Sequence, residues 1–541
     1  MPSMHSPAGE DPDKDSLYGS TAPRPLEDGA LEKSQRPTLQ HRNSVQRVPR
    51  SQRRGLFGRF TIVPEVADPQ QYDRRVKWFI TFVIAAAAAA APMGSVIFFP
   101  TLPELSRDLH ASPTITNLSV ALYMLSMAIF PLWWSSFSET FGRRNIYITS
   151  FALFVLFNIL SAVSTSIGML VVMRILVGGS AASVQAVGAG TIADIWEVKE
   201  RGQAMGIFYL GPLCGPLLGP IIGGVLAQKW GWRSTMWFLV IWGGFILVSI
   251  IFCLPETLKA QDITRDGAAK DKMASEGSKG ASSVPISKVS SIKSVQHHGR
   301  RWATFAKKYF IDPLKILQYF RFPAVCITVY YASITFGTLY ALSVSIQDTF
   351  SKPPYSFPTL ILGLLYIPNS LGYFIASYLG GRWIDHIMHR EARSAGRYDE
   401  DDNLILRPED RMKENAYISA IVYPAALLCY GWTVQEGVFW VVPMIANFFF
   451  GLGSMLVFAM ATTMLTEFMP KKSSAGVALN NLIRNIFSAI GAVIAEPLIS
   501  AIGNGWLFTI LAVVSAGSGG VIWAMHRYGP KWREEMDRKL G

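Results

Sequence analysis

The sequence predicts an all-α membrane protein whose twelve transmembrane helices form two pseudo-symmetric six-helix bundles. Three observations carry that prediction. Half of the 541 residues are hydrophobic, only 16% are charged, and the mean hydropathy is +0.27. The apolar residues gather into about twelve blocks, each near or above the ~20 residues that a helix needs to cross a bilayer. A polar stretch, 258–321, parts six of these blocks from the other six.

Residues 1–76 come first. They are rich in Ser, Pro and charge without apolar periodicity, and read as a disordered cytoplasmic tail. Seven arginines and no acid lie between Arg36 and Arg59, a composition suited to an anionic leaflet. The first apolar run is too long for the core of a cleavable signal, so none is expected. The N-terminal bundle, 77–257, holds spans at 78–99, 116–137, 146–166, 168–193, 203–227 and 234–254. A cytoplasmic central loop, 258–321, ends in WATFAKKYFIDPLKILQYFRFP, where aromatic and aliphatic residues mix with lysines as in an interfacial helix. The C-terminal bundle, 322–528, holds spans at 323–346, 357–380, 415–434, 437–463, 475–499 and 505–527, and residues 529–541 form a cytoplasmic tail.

Charge sets the orientation. With both termini in the cytoplasm, the short inner loops carry Arg143, Arg144, Lys199, Arg201, Lys471 and Lys472. The outer loops carry Arg107, Lys229, Arg233 and Lys352, and the longer inner segments add many more cations. The net charge of +12 is therefore the positive-inside bias of a membrane protein and not a nucleic-acid footprint. Cys214, Cys253, Cys326 and Cys429 lie in or at the edge of spans, which implies no disulfide framework. Asn117 opens a formal glycosylation sequon, expected to be unmodified at the mouth of span 2.

Two loops correspond between the halves. SSFSETFGRR (135–144) follows span 2 and GGRWIDHIMHR (380–390) follows span 8. In each a small residue precedes an acid by four positions, Ser135 to Glu139 and Gly381 to Asp385, the pattern of a parallel-repeat carrier. The first loop resembles the major facilitator signature G-x-L-x-D-R-x-G-R-R: Gly142, Arg143 and Arg144 match, with Ser135 for the usual Gly and Glu139 for the usual Asp. RILVGGSAA (174–182) resembles the span-four R-x-x-Q-G signature with Val177 for Gln. GPLCGPLLGPIIGG (211–224) resembles the span-five antiporter motif G-x-x-x-G-P-x-x-G-G, with Pro220 for one Gly, and span 6 ends in the familiar LPETL (254–258). The resemblance covers residues 77–528. Through SVQAVGAGTIADIWEVKERG (183–202) it extends to the fungal twelve-span drug:proton antiporters, in the quinidine-resistance and polyamine-exporting branch. It implies a secondary transporter that exports drugs, polyamines or related metabolites against protons, by alternating access at the plasma membrane, without a cofactor. A nutrient uniporter or symporter, and a non-transporting nutrient sensor, remain as alternatives.

The residues themselves suggest where such work is done. Charge inside a bilayer is rare and usually functional, which singles out Arg174 in span 4 and Arg484 in span 11. Asp194 closes span 4 near Arg143 and Arg144, as a gate salt bridge would require. Glu139 is expected to face the start of span 11, near Ser473 and Ser474, and Asp385 to mirror it at span 5. Span 1 holds no carboxylate, so Glu496 and Asp194 stand in as proton-coupling candidates. Tyr123, Gln185, Tyr330, Tyr331, Asn369, Asn447, Asn480, Asn481 and Arg484 are polar or aromatic groups suited to a cavity, because asparagine in hydrocarbon needs a partner. Together they suit an amphipathic organic ligand. The expected partners are that substrate, protons and membrane lipid, without nucleic acid, and the chain is expected to act as a monomer. The Asp385–His389 spacing reads as a solvated loop and not a metal site, and no enzymatic motif is found.

Span 5 poses a particular question. Pro212, Pro216 and Pro220 each remove a donor, freeing the carbonyls of Phe208, Pro212 and Pro216. Gly211, Gly215, Gly219 and Gly223 advance about 40° per step and form a smooth stripe, with Gly224 beside it. That surface is expected at the interface between bundles, sealing it against proton leak.

Overall fold

The computed structural model describes residues 47–258, 312–398, 404, 413–468 and 473–540, and long helices dominate them. Span 1 is Arg74–Ala88 continued by Ala90–Val96, and a short turn carries it into Leu102–Asp108. Span 2 is Pro113–Phe141, started by Ser112, whose hydroxyl accepts from the Ile115 N–H. Spans 3 to 6 are Arg143–Ala162, Ile167–Ala181 with Ser183–Ile195, Val198–Trp230 and Arg233–Cys253. Spans 7 to 10 are Pro323–Phe350, Thr359–Leu364 with Ile367–Ser394, Glu414–Gln435 and Val441–Phe468.

Eleven stretches are long and apolar enough to cross a membrane, and the last of them, Gly476–Met536, runs for 61 residues. It contains two spans. Gly503 takes φ 79°, ψ 168°, outside any helix. Before it, Phe487 and Gly491 lie against Gly337 of span 7. After it the chain returns: the Phe508 ring packs on Tyr430, and the Ser515 hydroxyl donates to Tyr423 further down span 9. Span 11 is therefore 473–502 and span 12 begins at 504, giving the twelve expected. The helix Gly520–Leu540 continues the descent.

The end of the molecule that bears residues 47–73 and the last helix is here the tail end, and the opposite one the far end. At the tail end the chain departs from expectation. Residues 1–46 lie outside the described residues, but the supposed disordered tail has a fixed path from residue 47. Val48 N–H donates to Glu65 at 2.7 Å, Arg54 pairs with Glu65 at 2.6 Å, and Ile62 N–H reaches the Phe252 carbonyl at 2.7 Å. Polar pairing and the buried Val63, Val66 and Tyr72 together hold this segment, and those three are too unevenly spaced to read as a stripe. Leu56, Phe57, Phe60 and Ile62 remain exposed on it. The expected interfacial helix before span 7 is a 3₁₀ helix, Asp312–Arg321, with Leu314 and Leu317 exposed. The part of the central loop before it, 259–311, lies outside the described residues.

Span 5 stays helical through all three prolines. Its glycine stripe does not lie between the bundles, and here the expectation is corrected. A β-carbon at Gly211 or Gly223 would run into the carbonyl oxygens of Ala85 and Ile97. At Gly215 it would come within 2.6 Å of the Met93 nitrogen, and at Gly219 within 2.7 Å of Val96. The stripe is thus the bed on which span 1 lies, inside one bundle, in a small-residue contact of the kind that draws membrane helices together. Only the neighbouring Gly224 turns to the second bundle, where its β-carbon would meet the Thr359 carbonyl at 2.9 Å. Backbone cannot shift as a flexible side chain does, so overpacking here costs at least about 1–3 kcal/mol. Gly211→Val or Gly223→Val should sharply reduce folded, membrane-inserted protein, while Gly206→Ala, with open space around it, leaves yield and melting temperature unchanged. Fluorescence-detected size exclusion and thermal unfolding of the purified variants measure this.

Candidate functional site

The tail end is organised by two charges that each close a helix end. Span 3 starts at Arg143, and its first N–H groups have no partner within the helix. Glu256, from LPETL, supplies one: Oε1 accepts from the N–H of Arg143 at 3.0 Å and Oε2 from that of Arg144 at 3.2 Å. Oε1 also accepts from the N–H groups of Thr257 and Leu258, each at 3.0 Å. Burial pushes the Glu256 carboxyl above its usual range, opposed by these backbone donors and by Arg54. Gly142 makes the approach possible, because it takes φ 93° and a β-carbon there would meet Oε2 at 2.5 Å. Both features exclude other residues.

Arg144 performs the complementary task at the end of span 6. Its guanidinium donates to the carbonyls of Ile250 and Leu254, to Ile251 at 2.8 Å, and to Leu56 and Phe57 of the N-terminal segment at 2.9 and 3.1 Å. Five carbonyls around one fully buried guanidinium suit its five donors. Arg143 has a different role. Its Nε pairs with Asp194 Oδ2 at 3.2 Å and its Nη1 donates to Ser138 at 2.6 Å. Since Arg143 and Asp194 both belong to the first bundle, their pair braces span 3 against span 4. It does not itself bridge the halves. Glu139 is exposed; the side chains of Asp385, Ser473 and Ser474 lie outside the described residues.

The halves are fastened toward the far end. The Ser95 and Tyr340 hydroxyls share a hydrogen bond at 3.1 Å, and the Thr114 hydroxyl donates to Glu496 at 2.8 Å. The Leu360 N–H donates to Gln228 at 3.2 Å. At mid-depth the Ser370 hydroxyl reaches the Pro216 carbonyl at 3.5 Å, one of those freed by the prolines of span 5. Glu496, expected as a coupling carboxylate, lies at the tie between spans 2 and 11.

Between these ends lie the two charges of the core. Arg174 is fully buried on span 4 against the faces of Tyr123 at 4.3 Å and Phe98 at 4.8 Å. Its three nitrogens have no hydrogen-bond partner among the described residues. The Tyr123 hydroxyl donates instead to the Ala91 carbonyl at 2.9 Å. Arg484 lies over Phe336 at 4.5 Å and Phe458 at 5.3 Å, with Tyr209, Tyr340 and Tyr373 in its electrostatic surroundings. Several other residues expected as ligand contacts have neighbours within the protein. Asn447 donates to the Leu365 carbonyl at 3.3 Å, Asn480 to Thr462 at 3.4 Å, and Asn369 lies against Gly451. Tyr331 is buried, Tyr330 is exposed with its ring edge-on to Phe487, and Gln185 and Asn481 are half-buried. Sequence reasoning missed Glu256, although it lay in a quoted motif, and Tyr340, which bears no signal beyond its residue type.

Residues 84–397 match the sequence profile of the Major Facilitator Superfamily. The chain belongs to that superfamily. The MFS antiporter QDR3 of Candida albicans is 36% identical, over 93% of this chain and 85% of the relative. Quinidine resistance protein 3 of Saccharomyces cerevisiae is 32% identical, over 91% and 88%. The peptide transporter POT, solved with sulfate, superposes with a TM-score of 0.61 at 13% identity, over 86% of this chain and 97% of its own, and shows the shared fold. This facilitator protein is thus a multi-pass membrane transporter whose loop signature closes helix ends.

Exchanging the charges of the brace tests it. Arg143→Asp alone should leave Asp194 facing a like charge and lower the melting temperature by several degrees. Adding Asp194→Arg should recover part of that loss, because the pair is restored while the bond to Ser138 is not. Equal melting of single and double variants would remove the brace. Glu256→Gln should destabilise by roughly 1–3 kcal/mol, since an amide turns two donors toward donors.

Proposed function

We propose that this protein exports drugs or related small organic metabolites from the cytoplasm across the plasma membrane, as a monomer, in exchange for protons. The observation that carries the reading is that the hydrogen bonds between the bundles, among the described residues, are few and single. Ser95 to Tyr340, Thr114 to Glu496 and Gln228 to Leu360 are single hydrogen bonds near the far end. A single intramolecular hydrogen bond contributes about 1 kcal/mol, so a few of them can be exchanged for another set as two rigid bundles rock. The positive-inside bias puts the tail end in the cytoplasm, which makes the fastened far end external.

Two relatives matched over most of their length, named for antiport and for quinidine resistance, favour proton-driven export over a nutrient uniporter or a sensor. Glu496 is the carboxylate placed to respond when the far end opens, because its partner Thr114 leaves with the other bundle. In vesicles containing the purified protein and a pH-sensitive dye, quinidine added against a proton gradient should dissipate that gradient. Glu496→Gln should weaken the coupling several-fold while leaving gradient-free counterflow intact. Substrate movement that ignores the proton gradient in the unmodified protein would overturn the antiport reading.

A further inference from the structure

Residues 47–62 form a strap across the tail end of the first bundle. The Leu56 N–H donates to Asn145 at 2.6 Å, and the Leu56 and Phe57 carbonyls accept from Arg144 at 2.9 and 3.1 Å. Arg53 donates to the Thr61 hydroxyl at 2.9 Å, while Arg54 pairs with Glu65 and reaches the Leu258 carbonyl at 2.9 Å. The backbone is thus fixed to spans 3 and 6, yet the side chains of Leu56, Phe57, Phe60 and Ile62 stay exposed, that of Ile62 by 72%. A cluster of large apolar groups on one short segment marks an interaction surface.

Phe57 adds a second sign. It is held at φ 55°, in the left-handed region, between Gly55 and Gly58. A bulky side chain is strained there, whereas glycine takes that conformation freely. The backbone alone would favour glycine at this position, so the ring has a use of its own.

The patch begins where a lipid-facing surface stops. Ile241, Phe245, Val248 and Phe252 are exposed along span 6, three or four residues apart, on one face of the helix. The row ends at Phe252, whose carbonyl accepts from the Ile62 N–H at 2.7 Å. The strap therefore leaves span 6 at the depth of the lipid headgroups. Arg47, Arg50 and Arg59 are exposed on it, and its sequence from Arg47 to Pro64 contains no acid. Arg53 and Arg54 are engaged within the protein, so these three arginines carry the outward charge. Apolar side chains beside cations suit the boundary between headgroups and acyl chains, and anionic headgroups attract cations held at that level.

We propose that residues 47–62 are a lipid-reading strap. Leu56, Phe57, Phe60 and Ile62 insert at the headgroup boundary of the tail-end leaflet, and Arg47, Arg50 and Arg59 bind anionic phospholipid. Seating the strap acts inside the protein, because its Leu56 and Phe57 carbonyls complete the set around Arg144, which closes span 6. Anionic lipid thereby steadies the tail end of the first bundle.

The test uses the full chain in phosphatidylcholine vesicles, with and without phosphatidylserine. A photoreactive phenylalanine analogue in place of Phe60 should form a phospholipid adduct, read by mass spectrometry and more abundant with phosphatidylserine. Absence of the adduct overturns the inference, as do crosslinks into residues 1–46 or 259–311, which would mean that the chain covers its own patch. Phosphatidylserine should also raise the melting temperature of the unmodified protein by several degrees. Replacing Arg47, Arg50 and Arg59 together by Gln should remove most of that rise and leave melting in phosphatidylcholine unchanged. An undiminished rise, or a variant already weakened in phosphatidylcholine alone, refutes the lipid role of the arginines. Phe57→Gly should respond less to phosphatidylserine, since ring and arginines seat the strap together. Were it stabilised equally in both lipids, the change would be relief of backbone strain alone and the ring would have no part at the membrane.

Discussion

A bilayer offers no water to a stray backbone group or charge, and this molecule is arranged around that constraint. Twelve helices satisfy their own interiors, so the difficulty concentrates at their ends and at the few charges between. Glu256 closes the start of span 3 while Arg144 closes the end of span 6, and the two residues come from opposite helices of the same pair. Each corrects the other's helix. The N-terminal segment completes the arrangement by lending the Leu56 and Phe57 carbonyls to the same guanidinium.

The loop signature acquires a physical meaning from this. Gly142 is required because a carboxylate occupies the place of its side chain. The two adjacent arginines are not interchangeable. Arg144 is held by carbonyls of its surroundings, whereas Arg143 holds an aspartate and a serine. Within one bundle these bonds fix spans 2, 3, 4 and 6 together, so that the bundle moves as a body.

The fold was legible because hydropathy reports burial in lipid directly, and even the count of twelve survived a run of 61 residues in which Gly503 hides a turn. The site was legible only in part. Arg174, Arg143 and Asp194 announced themselves as charges at span depth or at loop motifs, and Arg143 does meet Asp194. Which partner each asparagine finds depends on helix rotation, so the sequence did not show that Asn447 reaches Leu365 or that Asn480 reaches Thr462. The glycine stripe misled for a related reason. A sequence shows that some backbone must approach closely, but span 1 and the second bundle are equally good candidates until the helices are placed. The segment 47–73 was missed because polar pairing and three unevenly spaced buried residues, Val63, Val66 and Tyr72, leave no periodic signal.

The prolines of span 5 join these threads. A proline inside a membrane helix leaves the carbonyl four residues earlier without its usual donor, which in lipid demands a substitute. At Pro216 the substitute comes from the other bundle, through the Ser370 hydroxyl. A carbonyl satisfied within its own helix has no reason to exchange partners, whereas one satisfied across a moving interface can give up its partner as water enters the opening cleft. Span 5 can therefore be rigid on the face that beds span 1 and exchangeable on the face that meets span 8. Its glycines and prolines serve those opposite demands on one helix, which is why a segment so poorly suited to water holds together here.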